Sequence, residues 1–139
     1  MRSGLVYLIG SLRNAKIPLV GNAIRELGYD VYDDWWAPGA RADECWREYE
    51  IARGRTYLEA LRGRHAADVF GMDKKYLDAA DFAVMVCPAG RSAHLELGYV
   101  IGTGRPGYIL LDDSDRFDIM YRFATGVFGD LQGLLAAIR

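Results

Sequence analysis

An open α/β sandwich, a parallel sheet of about five strands with helices on both faces, is predicted by three observations. Short apolar runs alternate along the chain with longer segments of helical spacing, the pattern of successive β-α-β units. The most apolar of the runs, Phe82-Ala83-Val84-Met85-Val86-Cys87, reads as a strand buried on both faces. It is followed by a Pro/Gly turn, Pro88-Ala89-Gly90, and then by the helical spacing of Leu97, Val100 and Ile101. Such sheets bind ligands at the carboxyl ends of their strands, which makes the stretch from Cys87 to Tyr99 the place to look for chemistry.

Taken in order, Leu5-Val6-Tyr7-Leu8-Ile9 is a first strand ending at Gly10-Ser11. Pro18 suits the first turn of a helix whose apolar stripe is Ile17, Val20, Ile24 and Leu27, and Gly28 ends it. Tyr29 to Asp34 is a second strand, completing a β-α-β unit. Trp35-Trp36-Ala37-Pro38-Gly39 is a loop whose two indoles are too apolar to stand in water. They are expected to cover a ligand base, a partner subunit or the edge of the core. From about Ala42 to Ala79 the chain is helical, with interruptions near Gly54, Gly63 and Gly71. Asp81 to Cys87 is the third strand, Ser92 to Thr103 a helix, and Tyr108 to Leu111 a fourth strand. Asp115 to Thr125 is a short helix, Val127-Phe128 a brief fifth strand, and Asp130 the N-cap of a closing helix. The expected strand order is 2-1-3-4-5, as in flavodoxin-like folds, with the switch point between strands one and three.

At 139 residues the chain is one domain, 1–139, long enough to bury a core. A content of 51% hydrophobic and 26% charged residues sets intrinsic disorder aside. The net charge of −2 gives no footprint for a nucleic-acid polymer, whereas a small nucleotide needs only a local pair of arginines. No apolar run is long enough for a membrane span, and Met1-Arg2-Ser3 leads into a strand rather than a signal peptide. Cys45 falls on a polar helix and Cys87 ends a buried strand, so neither a disulfide nor a metal framework is indicated. A cytoplasmic location, no metal and no cofactor are the expectations.

The predicted topology brings three groups to one crevice. The first is Tyr7 with Gly10-Ser11-Leu12-Arg13: a glycine that lets backbone approach a ligand, a hydroxyl and amides for an anion, and a guanidinium for a phosphate. The bland alternative is a strand-to-helix turn with a surface arginine. The second is Asp73, otherwise read as a helix cap or a partner of Lys74 or Lys75. The third is Gly90 to Glu96, with Ser92 capping the helix or meeting substrate, and Glu96 in the helix's first turn. There the macrodipole favours a carboxylate whether or not it does chemistry. His94 reads as a surface or supporting residue.

Tyr7 to Arg13, Asp33-Asp34-Trp35 at the end of strand two, Asp73, and Leu95-Glu96-Leu97-Gly98-Tyr99 together resemble the nucleoside 2-deoxyribosyltransferase superfamily. This superfamily includes base-exchanging transferases and 2'-deoxynucleoside 5'-phosphate N-hydrolases. The resemblance implies that Glu96 is a nucleophile, Asp73 the acid for the leaving base, and Tyr7 the neighbour that positions the Glu96 carboxylate. It implies substrate contacts from Gly10, Ser11, Arg13, Asp34, Trp35, Gly90, Arg91 and Ser92, and a homo-oligomer, dimer or higher, whose subunits complete one another's sites. The Gly-Ser-x-Arg run is closer to the phosphate-binding turn of the hydrolase branch. Six residues before the nucleophile, transferases often carry Asp and the hydrolases Ser; this chain has Gly90.

The implied reaction is attack of Glu96 on an anomeric carbon, then resolution of the glycosyl-enzyme by a base or water. Glu96 should be ionised and Asp73 protonated, the latter with a raised pKa. Two other readings stand beside it: cleavage of another N-glycosidic bond such as that of NAD, and a non-catalytic nucleotide-binding module. A phosphorylated receiver would need acidic residues where Gly10-Ser11 and Cys87-Pro88 stand. A flavin carrier would need a Ser/Thr-rich loop in place of Leu12-Arg13-Asn14-Ala15.

Overall fold

The computed structural model describes residues 4–114 and 116–139. The Met1-Arg2-Ser3 lead and Asp115, the expected start of the short helix, lie outside the described residues. Five strands form one parallel sheet: β1 (Leu5–Ile9), β2 (Asp30–Tyr32), β3 (Phe82–Val86), β4 (Gly107–Leu110) and β5 (Gly126–Phe128). Their order is β2-β1-β3-β4-β5, as predicted, and the fold is flavodoxin-like. Six helices accompany them: α1 (Ile17–Glu26), α2 (Ala42–Ala52), α3 (Tyr57–Leu61), α4 (Arg64–Ala79), α5 (Arg91–Gly102) and α6 (Leu131–Ile138).

Side chains alternate across a strand, so each strand feeds two cores. Val6, Leu8, Val31, Val84 and Val86 point to one face, where Ile17, Val20 and Ile24 of α1 and Leu134 and Ile138 of α6 cover them. Tyr7, Ile9, Tyr32, Ala83 and Met85 point to the other, under Leu77 of α4 and Ala93, Leu97 and Val100 of α5. β3 is buried throughout, as its composition requires.

Local signals explain most boundaries. Pro18 sits in the first turn of α1, and Gly28 follows the helix with φ 102°. Thr56 and Glu59 form a reciprocal capping box at α3. Asp130 accepts from the Gly133 N–H at 2.8 Å and so caps α6.

Three expectations are corrected. β2 ends at Tyr32, because the chain turns at Asp33 into a short 3-10 helix, Asp34–Trp36. Gly71 does not interrupt α4: one interior glycine costs about 1 kcal/mol, too little to stop a helix of 16 residues. Gly54 and Gly63 do mark helix boundaries, the first with φ 74° after α2 and the second as the N-cap of α4. In place of the short helix before β5 there is a 3-10 segment, Ile119–Phe123, capped by Asp118.

The two indoles cover the edge of the core. Trp35 Nε1 donates to the Leu8 carbonyl at 2.7 Å, and Trp36 Nε1 to the Asn14 carbonyl at 3.2 Å. Cys45 is exposed and Cys87 buried, and neither is in a disulfide. Among the described residues no helix is long and apolar enough to cross a membrane.

Candidate active site

Parallel pairing places Tyr7 of β1 directly beside Tyr32 of β2. Both rings lie on the α4/α5 face, with centroids 5.2 Å apart. Tyr7 is fully buried, and its hydroxyl must find a partner there. It donates to Glu96 Oε2 at 2.7 Å. The Tyr32 hydroxyl donates to Asp73 Oδ1 at 2.9 Å, and its ring stacks on Tyr76 at 4.1 Å.

Each carboxyl is carried in by a helix whose neighbouring residues are buried. Ala93, Leu97 and Val100 seat α5 on the sheet, and Glu96 stands next to Leu97 on the same flank. Leu77 seats α4 one turn after Asp73, while Tyr76 packs beside it. Two carboxyls from two helices thus meet two phenols from two adjacent strands.

The expected place of Glu96 in the first helical turn is corrected. α5 begins at Arg91 after an N-cap at Gly90, so Glu96 is its sixth residue and the first turn has no acidic side chain. The helix dipole is felt mainly within the first turn, and burial dominates instead. Burial pushes the Glu96 carboxyl up to about 7; the charge of Asp73 adds to this, and the bond from Tyr7 opposes it. Asp73 is also raised, by burial, against the lowering bond from Tyr32. Both phenols lie well above the usual range for tyrosine, chiefly through burial and then through their carboxylate partners, so they remain proton donors.

The surrounding loops are more open. Gly10 is required by packing: a Cβ there would press within 2.6 Å of the Ile17 side chain. Ser11 Oγ accepts from the Arg13 N–H at 3.1 Å. Arg13 is exposed and pairs with Glu44 of α2. Asn14, buried, donates through Nδ2 to the carbonyls of Val86 and Cys87, both at 3.4 Å, and so ties the β1 turn to the end of β3. Across the crevice Gly90, Arg91 and Ser92 are exposed, and nothing lies within 4 Å of where a Gly90 Cβ would be.

A shallow pocket lined by Ala89, Gly90, Arg91, His94 and Leu95 opens at the head of α5. His94 holds this loop in place, with Nδ1 2.6 Å from the Gly90 carbonyl and Nε2 2.9 Å from the Tyr121 hydroxyl. Since a carbonyl only accepts, Nδ1 carries a proton, and a neutral imidazole accepts from Tyr121 through Nε2. Asp34 is exposed at the start of its 3-10 helix, and Trp35 is half-buried with its N–H already bonded.

Of the residues singled out in the sequence, Tyr7 and Glu96 are in direct contact, and Asp73 faces them through Tyr32. Tyr32 was missed. A usable signal existed: strand two alternates as strand one does, and a buried tyrosine at the matching position needs a hydroxyl partner. Glu44 as the partner of Arg13 had no such signal. Among the described residues no group of three His, Cys, Asp or Glu side chains gathers to hold a metal.

No family model matches the chain, and no curated protein matches it in sequence. Solved structures do. A 2-deoxyribosyltransferase from Bacillus psychrosaccharolyticus superposes with a TM-score of 0.63 and 17% identity, over 94% of this chain and 89% of that one. The Clostridium botulinum CMP N-glycosidase BcmB superposes with a TM-score of 0.53 and 12% identity, over 96% of this chain and 97% of the other. The resemblance to the nucleoside 2-deoxyribosyltransferase superfamily, drawn from short motifs, is met by a shared fold across nearly the whole chain.

Proposed function

We propose that this protein cleaves the N-glycosidic bond of a nucleoside or nucleoside 5'-monophosphate, passing the sugar to another base or to water. One observation carries the reading: two half-buried carboxyls, Glu96 and Asp73, lie near enough for their charges to interact, and each accepts a hydrogen bond from a buried phenol. The fold shared with a deoxyribosyltransferase and a CMP N-glycosidase supports it.

Glu96 attacks the anomeric carbon as the bond to the base breaks. The electron pair of that bond goes to the base nitrogen, which takes the proton of Asp73. The resulting glycosyl ester is opened by water or a second base on the same face. Asp73 accepts the proton and Glu96 leaves, so configuration at the anomeric carbon is retained. Burial raises both carboxyls, and the productive arrangement has the proton on Asp73 and the charge on Glu96. A base seated against Asp73 selects that arrangement, while Tyr7 stabilises the Glu96 anion.

Gly10, Ser11 and Arg13 on one lip, and Gly90, Arg91 and Ser92 on the other, are assigned to the sugar and any 5'-phosphate. Asp34 and Trp35 are assigned to the base side. For Arg13 to take a phosphate it must leave Glu44, whereas Arg91 has no ion pair among the described residues. We assign the chain to a homo-oligomer on the exposed Val69, Phe70 and Met72 of α4, which flank Asp73. Sedimentation above the monomer mass checks this.

The deciding experiment incubates the protein with mixed deoxynucleosides, their monophosphates and free bases, and reads products by mass spectrometry. Base release or exchange, with a glycosyl adduct on the Glu96 peptide after quenching, is the expected result. A folded protein that releases no base from any substrate ends the proposal.

A further inference from the structure

Away from the paired carboxyls, α2, α3 and the start of α4 enclose a second pocket, lined by Tyr49, Arg53, Arg55, Arg64, His65 and Asp68. Two of these residues, Arg53 and Arg55, pair with Glu50, a carboxylate only 3% exposed. Trp46 Nε1 donates to Glu50 Oε2 at 3.2 Å, and Arg53 Nη1 and Arg55 Nε lie 3.4 Å from Oε1. The Arg55 Nε–H is buried and makes no hydrogen bond, while Arg55 Nη2 donates to the Glu59 carbonyl at 2.9 Å. Gly63 leaves the room that Arg55 occupies, since a Cβ there would collide with the guanidinium. Arg53 is steadied over the Tyr49 ring, 5.1 Å from its centroid. Arg64, exposed, has no ion pair among the described residues, and the His65 ring leans on Trp46 at 6.5 Å.

Arg64, which has no ion pair among the described residues, adds a third guanidinium to Arg53 and Arg55, which line the same pocket. Two of the guanidiniums share one buried carboxylate, so each keeps N–H donors that Glu50 does not use. Fixed, partly desolvated guanidiniums with unused donors are the arrangement that binds tetrahedral oxyanions.

We propose that this pocket binds a small phosphate-bearing anion, held by Arg53, Arg55 and Arg64, at a site separate from the Glu96–Asp73 pair. Eight residues of α4 separate His65 from Asp73, about 12 Å along the helix axis. An anion here therefore does not compete for the groups that act on the glycosidic bond. Both sites hang on the same helix, so occupancy of one is transmitted to the other only through α4.

The test titrates ¹⁵N-labelled protein with sodium pyrophosphate at constant ionic strength. Saturable shifts of the Gly63, Arg64 and His65 amides are expected. Arg64→Glu removes an exposed, unpaired cation without touching Glu50, and should weaken binding about tenfold or more. Arg64→Lys should retain most of it. A nucleoside triphosphate that binds more tightly than pyrophosphate assigns the occupant as a nucleotide, and equal binding assigns a free phosphate-type anion. Shifts that never saturate, shifts confined to Ser11, Arg13 and Arg91, or an unchanged affinity in Arg64→Glu would each overturn the proposal. None of these readouts depends on turnover, so they stand or fall apart from the catalytic reading.

Discussion

The two faces of the sheet are built from the same five strands by opposite rules. The face under α1 and α6 is an unbroken apolar surface, from Val6 and Leu8 through Val31 to Val84 and Val86. The face under α4 and α5 has two phenols at its centre, Tyr7 and Tyr32, each bonded to a carboxyl from a covering helix. A one-residue step along β1 separates Tyr7 from Leu8, and with it chemistry from support. The apolar face buries no carboxyl and serves to stabilise. The other gives up some of that stability to keep two carboxyls where water does not solvate them well.

The sharpest break in this contrast is Glu96→Gln. Turnover should fall more than about 10³-fold, because the nucleophile is gone. Stability should move the other way. A carboxyl raised from 4.5 to about 7 on folding stabilises fully below its unfolded value and loses that contribution as pH rises through 7. The glutamine does not pay this loss, so at pH 8 the variant should gain on the order of 2–3 kcal/mol relative to its standing at pH 4. Paired urea titrations at the two pH values check the sign; a variant less stable at pH 8 would contradict it.

Asp73→Asn comes next. An amide cannot protonate the departing base, so kcat should fall about 10²- to 10⁴-fold with little change in KM. A substrate with a better leaving group should lose less, and equal losses would make Asp73 a binding residue. Tyr7→Phe should be milder, roughly tenfold at pH 7. Its signature is in the pH profile. Wild-type kcat/KM should climb through pH about 7 as Glu96 ionises, and the variant's limb should move upward because the bond that lowers Glu96 is lost. An unmoved limb would leave Tyr7 a packing residue. On the apolar face, Leu8→Ala should cost about 2–5 kcal/mol of stability, yet leave the pH profile of the folded fraction unchanged.

Strand order was legible because apolar runs and Gly/Pro punctuation are local, and α1 and α6 carry their caps in adjacent residues. That Tyr7, Asp73 and Glu96 lie together was legible only jointly, through motifs at matching places in the chain. What escaped is what depends on distant partners. Tyr32 meets Asp73 across 41 residues, and Arg13 meets Glu44 across 31, pairings that no spacing rule reports. The surroundings of Glu96 escaped for the same reason. Its sequence neighbours suggest a dipole-stabilised helix start, whereas its surroundings come from β1, almost ninety residues earlier.

The position of β1 in the middle of the sheet has a bearing on how the molecule is made. This strand precedes both of its sheet neighbours in the chain, and one of them, β3, begins only at Phe82. A growing chain that has released β1 and β2 but not β3 holds β1 against β2 alone, with its other edge unsatisfied. Closing the sheet therefore waits on a contact between segments some 76 residues apart, a late and slow kind of event. Glu96, the proposed nucleophile, arrives later still, on the helix that follows β3. The order of synthesis thus withholds the proposed glycosidase activity until the sheet has closed.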